Sequence, residues 1–328
     1  MSITNRNRPS VLIIGLYYYD YVKQSYGGFE WIDGVDCLKP AAHVARLLKK
    51  IILSQALNSI LKMPLQGTMF EWELDDQSLM AKHYDVAIVM ESPEAFSREY
   101  LKRVRAHSRK LCMVMLNPVT DRHDKLLPRV EDMYDLIVTC NPKDAKRNER
   151  WIYHPDCYSY DASFDIDDKP YDLSFISVDK GRGPLACEIY ERAIEVGMKC
   201  DFLIVNPTGE TKACAPEGIE LTERPLPYEQ CLRRSLRAKC ILEIVANNQN
   251  YSTLRTMESV VYGRYLLTTN CSINEDGYYD GNAMQIIDNP DCIDWGLVKR
   301  GSMNVRGDHQ AYSVEKLLEM VSSRLWEG

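Results

Sequence analysis

The chain has 328 residues, enough for two α/β domains, and its 45% hydrophobic content supplies a substantial core. Lysine and arginine number 40 against 47 aspartates and glutamates, and the net charge of −7 argues against a dedicated nucleic-acid binder while leaving room for a local basic pocket. The 11 cysteines include no CxxC pair and the 6 histidines lack ligand spacing, which argues against a disulfide framework and a zinc site and fits reduced thiols in a cytoplasmic protein.

The first ten residues are polar and basic, and only a short apolar run follows at 11–16, so neither a signal peptide nor a membrane-spanning helix is expected. That run suits a central strand covered on both faces. The loop after it carries Asp20 among tyrosines and then Gly27 and Gly28, without the GxGxxG spacing of a dinucleotide fingerprint. Residues 38–61 are amphipathic with basic positions, which fits a helix covering a sheet or a peripheral contact at the cytoplasmic membrane face. A further strand or an extended connection is expected over 68–74. Strands are then expected over 84–90, 110–116 and 133–140, with a helix over 94–107 between the first two and a short charged helix running to Arg150. Strands alternating with helices imply a parallel sheet, whose ligands lie beyond the carboxyl ends of the strands. Asp20, Glu91, Asn117 and Asn141 are the polar residues at such ends.

The stretch 158–171 is acidic, aperiodic and closed by Pro170-Tyr171. It divides the chain into an N-terminal domain over 1–158, a linker over 159–171 and a C-terminal domain over 172–328, with the last helix a candidate to pack back on the first domain. The alternation then restarts, with strands over 172–177, 199–205 and 219–222 and helices over 184–197 and 228–238. Residues 206–218 read as a Pro/Gly loop between them. Between the first of these strands and its helix lies Ser177-Val178-Asp179-Lys180-Gly181-Arg182-Gly183, two cations and two glycines in a loop that lacks P-loop spacing.

An apolar run at 241–246 reads as the next strand and delivers NNQNYSTLRTMESVVYGRYLLTTN, residues 247–270. Ser252 or Thr253 is placed to cap a helix on which Leu254, Met257, Val260 and Val261 recur at helical spacing, Gly263 to end it, and 265–269 to form a strand. A helix start bearing hydroxyls, unpaired amides and Arg255 attracts anions, and Glu258, one turn in, can accept hydrogen bonds from a diol. A short strand over 284–287 and a helix over 314–326 complete the pattern.

The pieces YDLSFIS with DKGRG at 171–183 and ERPLPYEQCLRRSLRAKCILEIVANNQNYSTLRTMESVVYGRYLLTTN at 223–270 resemble the nucleotide-sugar half of GT-B-fold glycosyltransferases, especially those of bacterial capsule, lipopolysaccharide and exopolysaccharide biosynthesis. In the first domain, VMLNPVT and the passage from YDLIVTCNPKDA to HPDCY are similar to the same group. The resemblance implies two Rossmann-like parallel-sheet domains facing an interdomain cleft. The activity it implies is metal-independent transfer of a sugar from a nucleoside-diphosphate sugar to a hydroxyl of a glycan, lipid-linked or other acceptor, with no cofactor. Glu258, on the E-x-x-x-x-G element that ends at Gly263, would bind the donor ribose. Arg255 and the Thr253 and Leu254 backbone would meet the diphosphate, with Asn247, Gln249 and Ser252 around it. Lys180 and Arg182 would stabilise the departing nucleoside diphosphate, and Tyr228, beside Pro227, would lie near the base.

The E-x7-E signature of the larger retaining families is incomplete, because position 250 is Asn250. Inverting and retaining chemistry are both open on that ground. Inversion would need a base from the first domain, for which Glu91 and Asp20 are the candidates. Asp75-Asp76 and Asp167-Asp168 read as solvated loop acids rather than metal ligands. A non-catalytic binding or scaffold protein, or an epimerase of the same architecture, are the alternative readings.

Overall fold

A computed structural model describes residues 9–15, 30–32, 81–158, 160–245, 252–274, 279–302 and 312–326. Asp20, Asn247 and Gln249, the segment 38–61 and the strand expected over 68–74 lie outside the described residues. The chain divides into two compact units, Met1–Pro155 together with Val314–Gly328, and Asp156–Ser313.

The first unit is built on a parallel sheet of β1 (Val11–Ile14), β2 (Glu30–Ile32), β3 (Tyr84–Met90), β4 (Ser108–Met115), β5 (Leu136–Thr139) and β6 (Trp151–Tyr153), in the order β2-β1-β3-β4-β5-β6. Buried apolar residues run consecutively through β1, from Val86 to Met90 in β3 and from Leu111 to Met115 in β4, because both faces of the sheet are covered. On one face Leu12, Ala87, Val89, Leu111 and Met113 pack against Tyr100, Leu101 and Val104 of α1 (Arg98–Ala106). This helix starts four residues later than the sequence pattern suggests. Ser97 caps it by accepting the Tyr100 N–H, and Pro93–Phe96 forms a separate 3-10 turn. The charged stretch before Arg150 holds only the 3-10 turn Asp144–Lys146, and the edge strand β6 follows it. Beyond β6, His154 is buried, its Nδ1 bonded to the Pro155 carbonyl and its Nε2 without a partner among the described residues. Burial pushes its imidazole down to about 4.

The second unit repeats the plan with β7 (Tyr171–Val178), β8 (Cys200–Val205), β9 (Ile219–Thr222), β10 (Ala238–Glu243), β11 (Tyr265–Thr268) and β12 (Met284–Ile286), all parallel, in the order β12-β11-β10-β7-β8-β9. Period-two alternation sorts its side chains. Leu173, Phe175, Cys240 and Leu242 join α3 (Gly183–Glu195) on one face, while Ile241 turns to the other face with α5 (Tyr228–Leu236) and α6 (Leu254–Tyr262). Before α3 in chain order come the one-and-a-half turns of α2 (Asp121–Leu126) in the first unit. The Pro/Gly loop at 206–218 contains α4 (Gly209–Cys214), which is too short to show periodicity and is announced only by Thr208, whose hydroxyl accepts the Thr211 N–H. Near the two places where the chain passes between units, the Tyr158 N–H donates to the Tyr312 carbonyl at 2.9 Å. After α7 (Trp295–Arg300), α8 (Val314–Trp326) returns to the first unit.

Candidate functional site

In the second unit the chain builds β7, β8 and β9 outward in one direction, then crosses back to place β10, β11 and β12 on the other side of β7. Strand order therefore reverses between β7 and β10, and the crevice beyond their carboxyl ends is where open parallel sheets receive ligands. Arg182, just past the end of β7, donates to the Ile244 carbonyl just past the end of β10 at 3.0 Å. Arg255, at the second position of α6, donates to the Ile176 carbonyl of β7 at 3.2 Å. Each arginine feels the other's like charge. Two basic residues separated by more than seventy positions in the sequence are thus brought to one switch point.

The loop after β7 is organised by Asp179. Its carboxylate is fully buried and accepts the N–H groups of Gly181, Gly183 and Thr208 and the Thr211 hydroxyl. Burial pushes this acid up, but the Thr208, Thr211 and Gly183 donors outweigh it and bring it down to about 2. To wrap around it, Lys180 adopts a left-handed φ of 48°, unusual for a residue with a Cβ, and Gly181 follows at 81°. Gly183 is required, since any Cβ there would overlap the Thr211 side chain. Arg182 folds inward and donates to the carbonyls of Val178, Asp179 and Ile244. Lys180 is exposed, and no ion pair or side-chain hydrogen bond engages it among the described residues. The loop amides that a glycine-rich sequence offers to a phosphate are here spent on the chain's own Asp179.

The start of α6 follows the same logic. Thr253 is the N-cap, its hydroxyl oxygen accepting the Arg255 N–H at 3.1 Å while Thr256 accepts the Thr253 N–H in return. Both threonine hydroxyls donate to Glu243, and Thr268 donates to its other carboxylate oxygen. Glu243 is 3% exposed. It shares a face with Ile241, two residues back on β10, so it lies under the α6 N-terminus, where a negative charge is favoured by the helix dipole. Sequence reading passed over it inside the run 241–246; its signal was a lone acid in an otherwise apolar strand. Ser252 is buried and Leu254 half-buried against the α6 face of the core. At the other end Gly263, at φ 60°, closes the helix in the left-handed conformation.

Arg255 forms an ion pair with Glu258 one turn on, and Glu258 is completely buried. Its other oxygen accepts the Tyr228 hydroxyl at 2.8 Å, and that hydroxyl meets the Tyr158 hydroxyl at 2.8 Å. Burial raises the Glu258 carboxyl above the ordinary range against the pull of Arg255 and Tyr228, and raises both phenols. Tyr228, Arg255 and Glu258, which the sequence places in one site, are therefore in direct contact; Arg182 is within their electrostatic reach and Lys180 adjoins it.

In the first unit the strand order reverses between β1 and β3. Glu91 follows β3 there. One of its oxygens accepts the N–H groups of Leu116 and Asn117 at 2.9 Å and the Asn117 side-chain amide at 3.2 Å. The other meets His123 Nε2 at 2.9 Å. His123 Nδ1 accepts the Thr120 N–H, so Nε2 carries the proton and donates to Glu91. Asn141 turns its side chain back to the Lys143 N–H. Among the described residues there is no group of three or more histidines, cysteines or acids able to hold a metal ion, and no helix is long and apolar enough to cross a membrane.

No protein-family model matches the chain, and no curated protein matches it by sequence. Solved structures do. A glycosyltransferase from Rickettsia africae ESF-5 superposes over 98% of this chain and 100% of its own, at a TM-score of 0.51 and 9% identity. The N-terminal domain of Candida albicans trehalose-6-phosphate phosphatase covers 97% of this chain and 92% of its own, at 0.50 and 10%. At such identities the likeness establishes the fold, a GT-B-like pair of Rossmann-like parallel-sheet domains, as expected from the sequence.

Proposed function

We propose that the chain is a glycosyltransferase that moves a sugar from a nucleoside-diphosphate sugar to an acceptor hydroxyl on a glycan or lipid-linked carrier, in surface polysaccharide biosynthesis. The observation that carries this reading is the convergence of Arg182 and Arg255 at the β7/β10 switch point, beside Lys180 and the α6 N-terminus, in a fold shared with a glycosyltransferase. As the glycosidic bond breaks, charge accumulates on the departing diphosphate, and cations fixed in a protein crevice stabilise that charge more than water does. Lys180 meets the phosphates first, being exposed. Arg255 reaches them by exchanging its bond to Glu258, which frees Glu258 for the ribose hydroxyls, while Tyr228 stands on the same carboxylate near the base. Ser252, the Thr253 and Leu254 backbone, Asn247 and Gln249 complete the donor contacts. On the acceptor side Glu91 is the base of this proposal, with Asp20 its alternative.

One observation favours a second reading, a nucleotide-binding scaffold without turnover: Arg255 and Glu258 neutralise each other, and Arg182 gives its donors to main-chain carbonyls. Titration calorimetry with a panel of nucleoside diphosphates, followed by a nucleotide-sugar assay for hydrolysis, transfer or interconversion, separates the readings. Turnover supports the transferase, binding without turnover the scaffold, and interconversion without an acceptor an epimerase. Absence of binding overturns all three. Because Lys180 is exposed, Lys180→Ala is expected to weaken diphosphate binding about tenfold without affecting stability.

A further inference from the structure

Two thiols stand outside the site just described, on neighbouring helices. At the start of α3, Gly183 approaches Thr211 of α4 so closely that a Cβ has no room between them. Cys187 lies one turn beyond Gly183 and Cys214 nearly one turn beyond Thr211, so both continue the same seam. Cys187 is buried in the core of the second unit, whereas Cys214 is exposed and donates to the Thr211 carbonyl at 3.6 Å. Burial, together with the neighbouring Cys214, pushes the Cys187 thiol up to about 12.

We propose that Cys187 and Cys214 form a reversible dithiol–disulfide pair that cross-links α3 to α4, with a low-molecular-weight disulfide as the oxidant. Cys214, the accessible thiol, gives its proton to solvent and attacks one sulfur of that disulfide. A mixed disulfide forms on Cys214, and the other half leaves as a thiolate and takes up a proton. Cys187 then loses its proton and attacks Cys214 Sγ, the Cys187–Cys214 bond forms, and the second half leaves as a thiol. Two protein thiols are oxidised and one small disulfide is reduced to two thiols. The high proton affinity of Cys187 makes the second step the slower and accelerates it with rising pH. The cross-link spans the seam anchored by Asp179, which holds the first residue of α3 and the cap of α4 together. Oxidation therefore stiffens the loop that presents Lys180.

The test uses the full reduced chain incubated with oxidised glutathione, alkylated without reduction, and digested with trypsin. The expected product links peptide 183–192 to peptide 213–233, whose Arg224–Pro225 bond resists trypsin, with fragmentation placing the bridge on Cys214 rather than Cys231, and with two of the 11 thiols lost and both restored by dithiothreitol. In the native protein, tryptic cleavage after Lys180 slows on oxidation and recovers on reduction. Cys187→Ser should stop at a glutathione adduct on Cys214, and Cys214→Ser should form neither product. A stable adduct on Cys214 in the unaltered chain, a bridge to any other cysteine, or no thiol loss would overturn the proposal. So would a cross-link that leaves cleavage after Lys180 unchanged.

Discussion

Glu91 at the carboxyl edge of the first sheet and Glu258 beside that of the second are held by opposite means. Glu91 in the first unit is bound by main-chain N–H groups, an amide and a neutral imidazole, all uncharged donors. Glu258 in the second is bound by a half-buried guanidinium and a phenol. A carboxylate satisfied by neutral dipoles leaves no charge behind when it is removed. A carboxylate paired with an arginine does, so the second edge is the one whose parts are energetically interlocked.

The most severe test is Glu258→Ala, which strands the Arg255 charge and should destabilise the protein by about 3–5 kcal/mol in urea unfolding. Acid should separate the units next. His154 is neutral when folded but takes a proton near 6.5 when unfolded, so its contribution is intact above that pH. It is lost as the pH falls toward about 4, a decrement of about 3 kcal/mol in the first unit. In the second unit the Asp179 carboxyl is held low by its donors. Its contribution is present above the ordinary aspartate value of 3.8 and lost only as the pH falls toward about 2, about 2 kcal/mol. Hydrogen exchange on peptides from each unit should therefore show the first weakening at milder acidity, and His154→Phe should abolish that lead. Glu91→Ala, which unpairs neutral donors alone, should cost about 1–3 kcal/mol, less than its counterpart. If the two alanine variants are equally unstable, the contrast between the edges is wrong. The smallest effect is Thr253→Ala, about 1 kcal/mol for the lost cap of α6.

Much of the fold was legible. Residues 84–90, 219–222 and 314–326 have the expected elements to the residue, because an apolar run, a period-two alternation and strong helical spacing leave few alternatives. The cap of α6 was narrowed to Ser252 or Thr253, of which the structure uses Thr253, and its stop at Gly263 was plain, since hydroxyl caps and glycine stops are chemical signals rather than statistical ones. What escaped was short or compensated. α4 and β6 are too brief to show a period. At the site, the cations were visible in the sequence but their internal partners were not. Asp179 collects its donors from 181, 183, 208 and 211, and Glu243 its hydroxyls from 253, 256 and 268. Only folding brings those positions together. A basic loop and a helix start therefore read as open to an anion, whereas in the structure each is already partly occupied by an acid of the chain itself.

The division of the chain also sets an order of assembly. All of Asp156–Ser313 lies between two parts of the first unit, and α8 is synthesised after it. The second unit has every one of its described strands before α8 emerges, while the first gains that helix last although most of it was made earlier. Cotranslational folding, which in most two-domain chains runs from the amino-terminal domain onward, is here inverted at its last step. Tyr158 and Tyr312, already bonded to each other, hold the two ends of the completed insertion side by side while the interrupted unit closes.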